Sequence, residues 1–208
     1  MDHVLLMQDH ASQQIVPQPG STIRNISGFT GPTIFSDAAW SCSSDGQLAP
    51  ARLGIFIKMS SDRTCSQLCI SAVSPPVTSA IQAEAFSLLL ATHIAGLIQL
   101  QEATFLTDNA TLAKATAAQN LFLTPGHWTI RPQLSRMTAS SAFDVSRIYH
   151  IPRSHNYRAH HQAKLALKLQ NRNPSFRCLV SGSENCLNAV VFADAPVLQC
   201  TIVYVRCC

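Results

Sequence analysis

The sequence predicts an α/β domain built on a mixed five-stranded sheet, its first three strands antiparallel, flanked by helices. Three observations predict it. Short apolar runs with period-two alternation fill residues 34–73, with turn residues between them. Helical patterning with capping residues begins near residue 78, and strand-like and helix-like segments then interleave. Interleaving implies parallel strands, because parallel neighbours need helical crossovers.

Residues 34–40 read as a short apolar strand, 52–59 alternates around Leu53, Ile55 and Ile57, and 64–73 alternates less regularly around Cys65, Leu68 and Ile70. Asp45-Gly46 and Ser60-Ser61-Asp62 supply turns, so the three strands form a meander. Pro75-Pro76 ends that run. Thr78 or Ser79 caps a long helix whose buried stripe is Ala83, Phe86, Leu90, Ile94 and Leu97, with Glu84 in its first turn. Residues 103–107 form a short buried strand, and Asp108 or Asn109 opens a helix through residue 120 that Pro125-Gly126 breaks. A short helix at 132–142, a β-branched strand at 145–151 and a helix at 156–169 complete the order β-β-β-α-β-α-α-β-α.

With 208 residues, 47% of them hydrophobic and 12% charged, the chain suits one medium domain with extensions and argues against disorder or a low-complexity array. A domain of this size buries roughly two thirds of its unfolded surface, so it needs no staples. The expected division is a polar leader or linker at 1–30, the packed domain at 31–170, and a cysteine-containing C-terminal extension at 171–208 with a strand-like run at 200–205. The most apolar segment, 83–100, carries Glu84, His93 and Gln99 within the ~20 residues a bilayer demands, so it reads as a packed helix and no membrane partner is expected. Residues 4–7 are too short for a secretory apolar region, which makes the chain an expected intracellular protein, nuclear or cytoplasmic, and not secreted. Its eight cysteines are then expected as free or buried thiols, with Cys65 and Cys69 a weak zinc pair lacking further ligands. Serine-hydrolase and phosphate-loop signatures are missing.

The sharpest chemical signal lies in the acids. Asp37 interrupts the apolar first strand, Glu84 sits in the first helix, and Asp108 follows the fourth strand. A carboxylate in such a place costs free energy unless a cation or hydrogen bonds compensate it, and oxygen ligands gathered from separate elements are what hard divalent cations demand. Taken alone, Asp108 is equally a helix cap.

Four segments together carry a resemblance: Phe-Ser-Asp-Ala-Ala-Trp at 35–40, Ala-Glu-Ala-Phe-Ser-Leu-Leu-Leu-Ala at 83–91, Leu-Thr-Asp-Asn at 106–109, and His-Ile-Pro-Arg-Ser-His-Asn-Tyr-Arg-Ala-His at 150–160. In order and spacing they resemble the type 1 ribonuclease H domain, particularly the divergent version of plant non-LTR retroelements and their domesticated relatives, over about residues 33–170. The resemblance implies a ribonuclease H-like fold and divalent-metal-dependent endonucleolytic cleavage of the RNA strand of RNA–DNA hybrids. It makes Asp37, Glu84 and Asp108 the matching ligands of Mg2+ (or Mn2+). Two such ions activate water and stabilise the leaving oxygen, and hybrid recognition reads the RNA 2′-hydroxyl and helix shape. Ser36, Asn109, Arg153, Asn156 and Arg158 become candidate nucleic-acid contacts.

One departure stands out. Where the family commonly has a fourth Asp in the last helix, this chain has His160, in Asn156-Tyr157-Arg158-Ala159-His160. Three readings are open: a residual catalytic ligand favouring manganese or zinc, a protonated partner of nearby carboxylates, or the mark of a domain that has lost nuclease activity and serves as a retroelement-derived nucleic-acid-binding module. His161 points about 100° away and does not share the site. Arg153 replaces a loop histidine that aids product release in many relatives.

Charge argues separately from the resemblance. Nine basic residues between Arg131 and Arg177 face the single acid Asp144, an excess that suits a phosphate backbone and salt-dependent binding; a solvated helix face is the alternative. Trp128 is expected against the sheet in preference to stacking on a base, and Trp40 at a strand end.

Overall fold

The computed structural model describes residues 17–41, 48–59, 66–118, 128–169, 173–179, 191 and 198–207. Strands β1 (Thr33–Ala39), β2 (Ala49–Lys58) and β3 (Gln67–Val77) form the expected antiparallel meander. Helix α1 (Ala80–Leu97) follows, then β4 (Thr104–Thr107), α2 (Ala110–Ala117), α3 (Arg131–Thr138), β5 (Ile148–His150) and α4 (Tyr157–Leu169). β4 and β5 run parallel to β1, which reproduces the mixed sheet read from the sequence.

Among the described residues the sheet has seven strands instead of five, in the order β5-β4-β1-β2-β3-β7-β6. Both added strands come from the C-terminal segment: β7 (Thr201–Cys207) pairs antiparallel with β3, and β6 (Ser175–Cys178) runs parallel to β7. That segment therefore extends the same sheet. β3 also runs through Pro75-Pro76, which do not end it. Pairing with β7 stops at Val73, so the prolines lie where β3 has a partner on one side alone and a missing N–H is tolerated.

Three further details differ from expectation, although the cap of α1 is one of the two expected. Ser79 caps α1 by accepting from the Gln82 N–H, which puts Glu84 beyond the first turn. Asp144 accepts from the Ser146 N–H at 2.8 Å, winding Val145–Arg147 into a 3-10 turn and shortening β5 to three residues. The leader is not entirely free of the domain: Ile23 and Gly20 donate backbone hydrogen bonds to His150 and Ile148 of β5, Ile23 is buried, and Phe29 packs on Tyr149. Residues 1–16, Cys42, Cys65, Cys186, Cys208, the end of the expected second helix and Pro125-Gly126 lie outside the described residues.

Alternation along the strands sends apolar side chains to both faces. Ile34, Leu53, Ile55, Ile57, Leu68 and Ile70 belong to the larger core with α1, α2 and α3, while Phe35, Phe56, Cys69, Leu106 and Tyr149 form a smaller one that meets Ala159 of α4. Of its expected stripe α1 buries Ala83, Leu90 and Ile94, while Phe86 and Leu97 are partly buried; Ala85, Leu88, Leu89, Ala91 and Ala95 are enclosed as well, and both the sheet and α3 contact the helix. It is long and apolar enough by composition to cross a membrane, but here it packs into the core.

α4 presses directly on β2. A Cβ built on Gly54 would collide with the Ala159 carbonyl and the Ala163 backbone, so the strand glycine and two helix alanines set the helix-to-sheet distance. Ser71 reinforces the contact by donating to the Gln162 carbonyl at 2.9 Å. Gly54→Ala is therefore expected to destabilise the fold by about 3 kcal/mol, lowering Tm by roughly 6–12 °C. Gly28→Ala, where nothing stands within 4 Å of the added carbon, is the control. Equal melting temperatures for the two variants would contradict the packing account.

Candidate functional site

Asp37, Glu84 and Asp108 come together. Each offers one carboxylate oxygen, and the three atoms lie within 4.8 Å of one another. The meeting point lies at the C-terminal ends of the parallel strands β1 and β4, where open α/β sheets bind ligands. Each acid arrives there for a separate reason. Asp37 is carried in by β1 and is itself 2% exposed, Glu84 rides on the buried helix α1, and Asp108 is the first residue beyond β4.

The sequence left Asp108 and Asn109 as rival caps for α2. Asn109 takes that role: its Oδ1 accepts from the Leu112 N–H at 2.9 Å, which releases the Asp108 carboxylate for the cluster. Asn156, fully buried, ties the cluster's elements together. Its Nδ2 donates to the Ser36 carbonyl at 2.9 Å and to Asp108 Oδ1 at 3.0 Å, linking the start of α4 to β1 and to the end of β4.

His160 reaches the same place from α4. Its Nδ1 stands 2.7 Å from Asp37 Oδ2, a distance at which Nδ1–H donates to the carboxylate. Arg153 Nη2 lies 3.5 Å from that nitrogen. A nitrogen already donating to Asp37 has no lone pair left, so Arg153 acts on this group as a neighbouring charge. His160 thus contacts one carboxylate and is not one of the three groups in the oxygen cluster.

Crowding and burial act on the proton affinity of these groups. Burial, with the charges of Asp37 and Asp108 added, pushes the Glu84 carboxyl well above its ordinary range, and a backbone hydrogen bond from Ala38 offsets this in part. Burial and Asp108 also raise Asp37, against the lowering effect of the His160 hydrogen bond and of the His160 and Arg153 charges. Glu84 Oε2 is enclosed without a protein hydrogen-bond partner. Three converging carboxylate oxygens, with a buried and unsatisfied Glu84 Oε2, fit a divalent cation.

Other candidates divide. Ser36 and Asn156 were expected as nucleic-acid contacts, but both are enclosed, at 1% and 0% exposure, and they hold the site from within. Asn109 is engaged as a cap. Arg153 and Arg158 are exposed. Trp128, expected against the sheet, stands 73% exposed at the start of a 3-10 turn, whereas Trp40 packs at the strand end and donates to the Ala49 carbonyl. The nine basic residues do not share one surface role, since Arg147 pairs with Glu102 at 3.7 Å and donates to the Thr30 carbonyl. Cys200 is a free thiol, and burial pushes it up to about 12, which makes it inert. Gly54 and Arg206 were not singled out in the sequence; a glycine inside an apolar strand is a signal of close backbone approach and was legible as one.

No protein-family model matches the chain, and no curated protein matches it. Among solved structures it is similar to ribonuclease H1 from the halophilic archaeon Halobacterium salinarum, with 21% identity and a TM-score of 0.50 over 66% of this chain and 97% of that one. It also matches the N-terminal ribonuclease H domain of a Mycobacterium tuberculosis protein, at 16% identity and a TM-score of 0.48 over 66% of this chain and 93% of that one. A third match is LC11 ribonuclease H1 in complex with an RNA/DNA hybrid, at 18% identity and a TM-score of 0.48 over 66% and 96%. The Halobacterium comparison, together with the strand order and the helices on both faces, shows that the chain has the ribonuclease H-like fold.

Proposed function

We propose that the chain is a nucleic-acid-binding, ribonuclease H-like nuclease that cleaves the RNA strand of RNA–DNA hybrids, with Mg2+ or Mn2+ held by Asp37, Glu84 and Asp108. The observation that carries the reading is the convergence of three carboxylate oxygens within 4.8 Å, with a buried Glu84 Oε2 that has no protein partner. Divalent ions bound there supply Lewis acidity and an activated water for in-line displacement at a phosphodiester.

The chain's own groups position and tune that centre. Asn156 fixes Asp108 relative to β1 through its two donated hydrogen bonds. His160 occupies Asp37 Oδ2, so this carboxylate shares its charge between a hydrogen bond and a cation. The contact supports the reading of His160 as a partner of the carboxylates. Compared with a fourth acid it makes the cluster less negative, which weakens metal occupancy and slows turnover. Recognition of the duplex rests on its RNA minor groove, where 2′-hydroxyls are displayed. Descent from a plant non-LTR retroelement, and a nuclear or cytoplasmic workplace, are the further parts of this reading; the first rests on the four sequence segments.

Purified protein should release short fragments from a labelled hybrid with either metal, and Asp37→Asn should fall to background. His160→Asp should raise the rate by about 10–100-fold, the range over which groups that tune metal ligands act. Absence of cleavage with both metals removes the enzyme reading. Salt-dependent binding without cleavage would then select the alternative, a catalytically impaired nucleic-acid-binding module, which the histidine at position 160 favours.

Stability should report the cation separately. A carboxyl whose folded pKa is raised contributes stability that is full below its unfolded value and is lost as pH rises through the folded one. For Glu84 that window begins near pH 4.5 and extends upward, so the metal-free protein should lose stability as pH rises from there. Added Mg2+ or Mn2+ should raise Tm more at pH 8 than at pH 5, and Glu84→Gln should flatten the metal-free profile. A metal-induced shift of equal size at both pH values would contradict the assignment.

A further inference from the structure

An open groove of about 520 Å³ lies on the sheet face that α4 crosses, and it starts at the carboxylate cluster, since His160 both lines it and touches Asp37. One wall is the first two turns of α4 with Arg158 and Lys164; the other is the sheet, with Phe56 of β2, Gln67 of β3 and Arg206 of β7. Among the described residues lining it, none is acidic.

Its cations are arranged, not merely numerous. Arg158 lies over the Phe56 ring at 4.6 Å, donates from Nη1 to Gln67 Oε1 at 2.9 Å and from Nε to the Tyr157 hydroxyl at 2.8 Å. A guanidinium fixed on an aromatic face loses little further freedom when it meets a phosphate. Across the sheet, Phe56 pairs with Cys69, Cys69 with Arg206, and Arg206 with Arg177, a single row over four adjacent strands. Three interstrand steps make that row about 14 Å long. Its last two members are both arginine, side by side on β7 and β6.

We propose that this groove is a second contact for nucleic acid: Arg158, Lys164 and Arg206, and Arg177 beyond its end, take phosphates of the strand that runs away from the carboxylate cluster. The proposal rests on the nuclease reading of that cluster, and it gives the C-terminal strands β6 and β7 a role in binding. Arg206 and Arg177 lie outside residues 33–170, over which the sequence resemblance runs.

The test is fluorescence anisotropy of a labelled RNA–DNA hybrid with the full chain, in EDTA, over a salt series. Arg158→Gln/Lys164→Gln/Arg177→Gln should weaken binding at least tenfold at about 100 mM salt and reduce the slope of log K against log salt by roughly 2–3. Lys164→Glu/Arg177→Glu changes two exposed side chains, so it should keep the wild-type Tm and weaken binding as well. Unchanged affinity and slope in both variants overturns the groove. Cleavage by the wild type, measured with metal, reads the cluster independently. Cleavage with an unaltered slope overturns the groove alone, and a reduced slope without cleavage overturns the nuclease reading alone.

Discussion

Mutual repulsion among three converging carboxylates, one buried and two half-buried, is the constraint around which the rest of this molecule is organised. At separations within 4.8 Å, each charged pair opposes the other by about 3 kcal/mol or more at an effective dielectric constant near 20. Three full charges are not sustained there without a compensating cation or proton. Burial and the charges of Asp37 and Asp108 hold the Glu84 carboxyl well above its ordinary range, which is where this cost falls. A fold that carries such a cost on β1, α1 and the end of β4 at once fits a ligand of opposite sign.

The second organising feature is the closeness of α4 to the sheet. Asp37 and Gly54 are cross-strand partners, so the residue opposite the buried aspartate has no side chain to hold the helix away. Ala159 and Ala163 settle onto that glycine, and the neighbouring His160 reaches Asp37. Asn156 at the start of the same helix meets Asp108. One small-residue contact thereby determines what stands around two of the three acids. The same approach leaves the groove between α4 and the outer strands, where the basic side chains gather.

Much of this was legible in the sequence, and the losses have physical causes. Period-two alternation identified β1, β2 and β3, and interleaved caps identified the crossovers, because one residue pattern dominates locally in each case. The acids were legible because a carboxylate inside Phe-Ser-Asp-Ala is costly on its own terms. What failed depended on partners distant in the chain. Pro75-Pro76 looked like a stop, and β7's pairing ends just before them. Residues 171–208 looked like an appendage because a lone apolar run such as Ile202–Val205 does not reveal which edge it joins. Ser36 and Asn156 were read as contacts by residue type, whereas their burial follows from the packing of α4 on β1.

The central claim is that Asp37, Glu84 and Asp108 bind a divalent cation jointly. Crystals soaked in manganese and measured at its absorption edge test it without reference to any substrate. The account predicts an anomalous peak within coordination distance of an oxygen from each of the three side chains. An empty cluster at saturating manganese, or a peak held by other residues with these acids turned elsewhere, would contradict it.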